Sequence, residues 1–247
     1  MKRNIILAAL TVLIVIATQA PANLLRFGFT QIAGVNFIQP QGTIWQGNGV
    51  LIINPGISAN LSWQLNWQIG ESLTPTIKWQ LTNPEIALTG KVTPGLRTQK
   101  IDIQGNFTGR FLEPILAKYD ISIPGVFEMS PTQILLSPAS ETTAIELVAD
   151  SQLFWSGGNI RYVLGNGLEQ AYVPGLTSTI KSAKDTLPIA SIALTENSTG
   201  PLLTMTPDQS GYVNIEVSRG FIELMGRTWT GSAKYSDVVL EIKRKVF

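Results

Sequence analysis

Nine consecutive residues, Leu61-Ser-Trp63-Gln-Leu65-Asn-Trp67-Gln-Ile69, alternate strictly between apolar and polar side chains. A period of two fits a strand with one buried face and not the 3.6-residue repeat of a helix. Ile77-Lys-Trp79-Gln-Leu81-Thr repeats the pattern. Shorter alternating runs follow at 86–89, 101–104, 144–149, 160–164, 189–195, 203–206, 212–218, 221–224 and 236–243. Turn residues punctuate them, among them Asn54-Pro55-Gly56, Asn83-Pro84, Pro124-Gly125, Gly157-Gly158, Gly165-Asn166-Gly167 and Pro174-Gly175. Short strands between turn signals predict an all-β chain of curved antiparallel sheet. Two short helices are expected at most. One lies within 110–119 (RFLEPILAKY), starting at Glu113 with Pro114 in its first turn. The other, weaker signal covers Gly167 to Val173.

The N-terminus follows a different rule. Lys2 and Arg3 precede an apolar run from Ile5 to Ala17 interrupted only by Thr11, and no acidic residue occurs before Glu71. Basic residues ahead of an apolar run keep the N-terminus cytoplasmic and send the rest across the membrane. Residues 1–22 are therefore read as a transmembrane signal anchor. A cleaved signal peptide ending at Ala20-Pro21-Ala22 is the alternative. In both cases residues 23–247 form the body outside the cytoplasm, with Asn23 to Gly34 joining it to the membrane segment.

The 247-residue chain contains no Cys and no His. That removes Cys- and His-ligated zinc sites and every nucleophile that relies on a His base. Charged residues make up 14% of the chain, against a usual value of about 25%. The net charge is +1, so there is no basic field to hold nucleic acid. Nothing in the sequence points to a catalytic residue, a cofactor or a metal ligand. Glu113 with Asp120, Asp102 and Glu128 read as solvated charges. Ser156 lacks the nucleophile-elbow pattern, and Lys181 and Lys184 near Ser178 and Ser182 read as a polar loop. The basic end Lys243-Arg244-Lys245 reads as a solvated terminus, and outside it and residues 1–26 acidic residues outnumber basic ones.

The best strand carries an uncharged polar face, Ser62, Gln64, Asn66 and Gln68, which is either wet or covered by a protein. Its other face carries Trp63 and Trp67, with Trp79 on the next strand. Such indoles are expected in a core, and line a groove only if the sheet stays open.

Three triplets share a Trp-polar-Gly pattern: Trp45-Gln46-Gly47, Trp155-Ser156-Gly157 and Trp229-Thr230-Gly231. Their unequal spacing excludes a short solenoid repeat. It leaves room for two similar halves, about 35–140 and 141–247. The order of features resembles the protein N family of the bacterial type II secretion system. After a short hydrophobic anchor, Gly42-Thr43-Ile44-Trp45-Gln46-Gly47 is similar to that family's Gly-Thr-Leu-Trp-x-Gly signature. The Trp-rich strand Leu61 to Ile69 follows. Leu153-Phe154-Trp155-Ser156-Gly157-Gly158 resembles the family's mid-chain Trp-x-Gly-Gly element, and Arg219-Gly220-Phe221-Ile222-Glu223-Leu224 its near-terminal Arg-Gly-x-x-x-Leu stretch. The low charge and the short anchor depart from the family pattern.

The resemblance implies a non-enzymatic accessory component of the secretion apparatus, a scaffold or adaptor in the export of folded proteins across the outer membrane. It implies a single-pass protein of the bacterial inner membrane with a periplasmic C-terminal domain, whose partners are other type II secretion subunits and the membrane itself. Trp45, Trp63, Trp67, Trp79, Trp155 and Trp229 are the candidates for a partner surface or groove. The alternative is a periplasmic lipid-binding or lipid-transfer module, in which apolar residues line an accessible groove; that idea rests on likeness of fold.

Overall fold

The structure, a computed structural model, describes residues 18–32, 34–53, 56–68, 74–95, 98–138, 143–165, 167–181, 187–196, 200–208 and 210–245. The chain divides into two compact units, Met1–Pro84 and Glu85–Phe247. The dividing point differs from the division near residue 140 that the triplets suggest.

Unit 1 opens with a 3-10 turn, Ala22–Leu24, and a single-turn helix α1, Leu25–Phe29. Four strands follow: β1 Val35–Gly42, β2 Gln46–Ile53, β3 Ile57–Gln68 and β4 Thr74–Asn83. They pair antiparallel in the order β1-β2-β3-β4. The alternation of β3 sets which face is covered. Ile57, Ala59 and Trp63 are buried, while Ser58, Asn60, Ser62 and Gln64 stay exposed. Against the buried face Ala22, Phe37 and Trp63 form a small core, flanked by Leu25, Phe29, Leu51, Leu61 and Ile77. The Phe37 ring lies 4.9 Å from Phe29 and meets Trp63 edge-on at 5.7 Å, the geometry that ring quadrupoles favour. In β1 a bulge between Ile38 and Gln41 carries Pro40, which cannot donate to a regular ladder. Gln39 ahead of it sits at φ 50°, a left-handed backbone that costs roughly 1–2 kcal/mol.

Residues 1–17 of the expected anchor lie outside the described residues. Among the described residues no helix is long and apolar enough to cross a membrane. The end of the 1–22 range belongs to unit 1. Ile44 donates its N–H to Ala20 O at 2.9 Å, Pro21 bridges Thr43, and Ala22 is 1% exposed.

Unit 2 contains β5 Ile86–Pro94, β6 Gln99–Thr108, helix α2 Gly109–Leu116, β7 Ile121–Ser122, β8 Val126–Pro138, β9 Thr143–Leu147 and β10 Ser151–Trp155. It continues with β11 Gly158–Leu164, β12 Gly167–Val173, β13 Leu176–Lys181, β14 Ile189–Leu194, β15 Leu203–Pro207, β16 Tyr212–Ser218, helix α3 Arg219–Leu224 and β17 Val238–Lys245. Its main sheet runs β5-β6-β8-β10-β13-β14-β15-β16-β17, with β9 also on β8, and a small sheet runs β12-β11-β7. Every pairing is antiparallel. The all-β expectation holds, and the alternating runs fall in strands with one exception.

That exception is Phe221 to Leu224, which lies in α3. Ser218 caps the helix by accepting from the Phe221 N–H, and Arg219 pairs with Glu223 one turn on at 2.7 Å. The segment Gly167 to Val173, expected as a weak helix, is β12. It pairs along its whole length with β11, from Gly158↔Val173 to Leu164↔Gly167. Helix α2 begins at Gly109 rather than Glu113, because its first turn is tied down by Gly109 N–H donating to Gly125 O at 2.9 Å. Pro114 therefore sits inside the helix.

Residues directly opposite in an antiparallel ladder share a face. One row of partners runs Ile86, Phe107, Phe127, Trp155, Leu176, Leu194. The next runs Leu88, Gly105, Met129, Leu153, Ser178, Ile192, Leu203, Val217, Leu240. A bulge opposite Gln104 gives Pro131 a place and keeps Ile103 and Thr132 in the same face as Gly105 and Met129. The main sheet of unit 2 thus has one apolar face. Its reverse carries Lys91, Asp102, Gln104, Glu128, Gln152, Thr204 and Glu216.

Candidate functional site

The residues singled out by the sequence occupy joints of the two units. In unit 1, Thr43 organises the first triplet. Its hydroxyl accepts from the N–H groups of Trp45 and Gln46, both at 3.2 Å. Its carbonyl accepts the Trp63 indole N–H at 3.2 Å. Trp45 O takes the Leu65 N–H at 2.6 Å. Gly47 is required by the Trp63 ring, since a Cβ there would lie 2.2 Å from Gln41 O and 2.7 Å from the indole. The triplet pattern is thus a local device that lets one strand's backbone approach another strand's Trp.

Trp63 is 8% exposed and sits in the core, so it does not line an accessible groove. Trp79, directly opposite it on β4, is half-buried, as is Trp45. Trp67, further along β3 opposite Pro75, is 56% exposed. Within unit 1 the structure brings Trp63 and Trp79 side by side and leaves Trp67 in solvent. On the polar face, Ser62 and Gln64 are exposed, and Asn66 is half-buried with its amide donating to Gln64 O at 3.3 Å. The side chain of Gln68 lies outside the described residues. Near this edge an open recess of about 540 Å³ is lined by Gln41, Gln46, Asn48, Gln64, two glycines and the rim of Trp63. It offers amide groups and no charge.

In unit 2, Trp155 is 4% exposed. Its ring stacks at 6.1 Å on Phe127, which stacks at 4.9 Å on Phe107. Its indole N–H donates to Pro124 O at 2.7 Å. Ser156 Oγ accepts from the Val126 N–H at 2.9 Å, a structural role. Gly157 follows at φ 84°, a conformation that glycine adopts without strain, and so lets the chain leave the main sheet for the small one. Arg219 is a clamp. Besides Glu223 it donates to Ala233 O at 2.6 Å, and its backbone N–H donates to Asp237 O at 2.9 Å. It thereby ties α3 to the loop that carries Trp229, which is 37% exposed. Two contacts join the small sheet to the same region. Tyr162 donates to Met225 O at 3.1 Å, and Arg227 pairs with Glu169 at 2.9 Å.

The remaining polar groups do not converge. Ser178 and Lys181 are three apart on β13 and face opposite sides of the sheet; Ser182 and Lys184 lie outside the described residues. Glu113 and Asp120 are exposed. Asp102 meets Lys91 at 3.5 Å and the Gln133 amide at 2.5 Å. Glu128 is exposed. Among the described residues no three carboxylates are grouped to hold a metal ion. Asp208 is held well below the usual carboxylate range, first by the Ser210 hydroxyl, then by the Tyr212 N–H and by Lys243 at 3.0 Å. That arrangement closes the β15–β16 turn and gives Lys243 of the basic end a partner. Burial, helped by the charge of Glu223, pushes the Tyr235 phenol up. Sequence alone did not point to Thr43, Pro124 or Asp208, although a hydroxyl two residues before a Trp and an Asp-x-Ser turn are local signals of such caps.

No protein-family model matches this chain, and no curated protein or solved structure matches it either.

Proposed function

We propose that this chain is a non-enzymatic accessory protein of the bacterial envelope, of the type II secretion protein N kind, with its N-terminal segment in the inner membrane and its β-rich body in the periplasm. The observation that carries the proposal concerns the three motif elements behind the resemblance. They span the chain, and each one holds a joint: Thr43 to Gly47 against Trp63, Trp155 to Gly158 against Pro124, and Arg219 to Leu224 against the 233–237 loop. Their polar atoms are engaged internally, so they serve the architecture and leave no reactive group presented. In this role the protein works through surface. The edge strands β1 and β17, which end the strand orders of their sheets, present backbone donors and acceptors suited to strand addition. The uncharged face around Gln64 adds adaptable amides.

The test is purification of the tagged full chain from its host envelope in mild detergent, with mass spectrometry of co-purifying proteins and of the intact N-terminus. Secretion-system subunits recovered with a chain that retains Lys2 support the proposal. A chain that begins at Asn23, or unimpaired release of folded cargo in a strain lacking the protein, overturns it.

A further inference from the structure

The apolar face of unit 2 is covered at one end only. At that end α2 packs Phe111 against Phe107 at 5.8 Å, and Ile86, Trp155 and Val217 are buried. Toward the other end of the same strands Val92, Ile101, Ile134, Ile180 and Met205 remain partly exposed, with Leu147 on the side strand β9 the buried exception. Between these ends the described residues place no charged side chain on this face. The first one is Arg244, opposite Val213 at the open end of the edge strand β17.

We infer that this face holds an acyl chain of an anionic phospholipid, with the methyl end toward Phe107 and the headgroup toward Arg244. Protein partners are held in register by hydrogen bonds, roughly one per 100–200 Å² of interface. This face offers almost none, because its backbone groups are used within the sheet and its side chains are mostly aliphatic. An alkyl chain needs none. The run from Ile101 to Phe107 spans about 20 Å at the usual strand rise, enough for a chain that fills about 15 Å, half of a bilayer's hydrocarbon core. Met129 and Met205 supply flexible side chains that adapt to such a guest. A phosphate at the open end meets the one cation the face carries, and the attraction between basic residues and anionic lipid is the general case. This site is independent of the secretion proposal, since a scaffold with or without lipid fits that role.

The experiment places the photoreactive residue benzoylphenylalanine in the full chain at Ile103 or Met205, and, as matched positions on the reverse face of the same strands, at Gln104 or Thr204. Each protein is irradiated with phosphatidylglycerol vesicles carrying labelled acyl chains. Lipid adducts at Ile103 and Met205, with background at Gln104 and Thr204, are expected. Arg244→Glu is expected to lower the yield with phosphatidylglycerol while leaving it unchanged with phosphatidylcholine. Equal labelling on both faces, adducts to a protein in place of lipid, or no adduct from Ile103 and Met205 overturns the inference. An equal effect of Arg244→Glu on both lipids overturns the headgroup placement. The reverse-face positions share the fold of the tested ones, so misfolding cannot imitate the expected result.

Discussion

Unit 1 and the main sheet of unit 2 are written in the same alternating pattern, yet they treat their apolar faces differently. Unit 1 closes its face with a helix of one turn and a Phe–Trp pair. Unit 2 closes one end with α2 and its aromatic stack and leaves aliphatic side chains part-exposed along the rest. Alternation dictates that a segment is a strand and which residues share a face. It does not dictate what lies on that face. The lid has to come from elsewhere in the chain, and its length sets how much is covered.

Trp63→Ala is the sharpest way to break this contrast. It empties the core of unit 1 and leaves Thr43 O without its indole donor. Loss of about 3–5 kcal/mol is expected, read as a lowered denaturation midpoint of the unit containing Phe37. Trp155→Phe tests the closed end of unit 2 more gently. It keeps a ring on Phe127 but removes the hydrogen bond to Pro124 O, at an expected cost of about 1–2 kcal/mol. Trp67→Gln is expected to change stability by less than about 0.5 kcal/mol, because that indole is already in solvent. A large loss there would mean that unit 1 buries more than its Phe–Trp core.

The smallest effect concerns the turn that precedes β16. Asp208 has a folded-state pKa depressed below its unfolded value of about 3.9, so its stabilising contribution is present at neutral pH and is lost as pH falls through the folded value. Asp208→Asn is expected to lower the thermal midpoint slightly at pH 7. The difference from the unmodified chain should shrink as pH drops below about 4. A difference that persists unchanged in acid would mean that the turn depends on shape rather than on charge.

Much of the fold was legible in the residues, for reasons that can be located. Leu61 to Ile69 is long enough that only one period fits. Phe221 to Leu224 is four residues long, and four residues fit either period. The signals that decide it are Ser218 at the cap and Arg219 with Glu223 a turn apart, and both lie partly outside the run. Gly167 to Val173 shows little apolar alternation because its strand buries only small or branched residues, Ala171 and Val173, and leaves Leu168 and Tyr172 in solvent. The candidate surface was less legible. The six Trp residues look alike in sequence, but each one's exposure depends on what the distant Ala22, Phe37, Phe127 and Pro124 do. An apolar face across nine strands is invisible until the register of each ladder is known.

The strand orders carry one more consequence. From β13 to β17, and again from β1 to β4, each strand pairs with the strand made just before it. Such pairings are local, and local contacts form fast. A chain threaded N-terminus first through a translocation channel can therefore zip up hairpin by hairpin as it emerges, without waiting for its far end. At each moment the newest strand is the open edge, so growth stops when β17 arrives, and the cluster Lys243-Arg244-Lys245 leaves the last edge charged, as sheets that resist further addition commonly are.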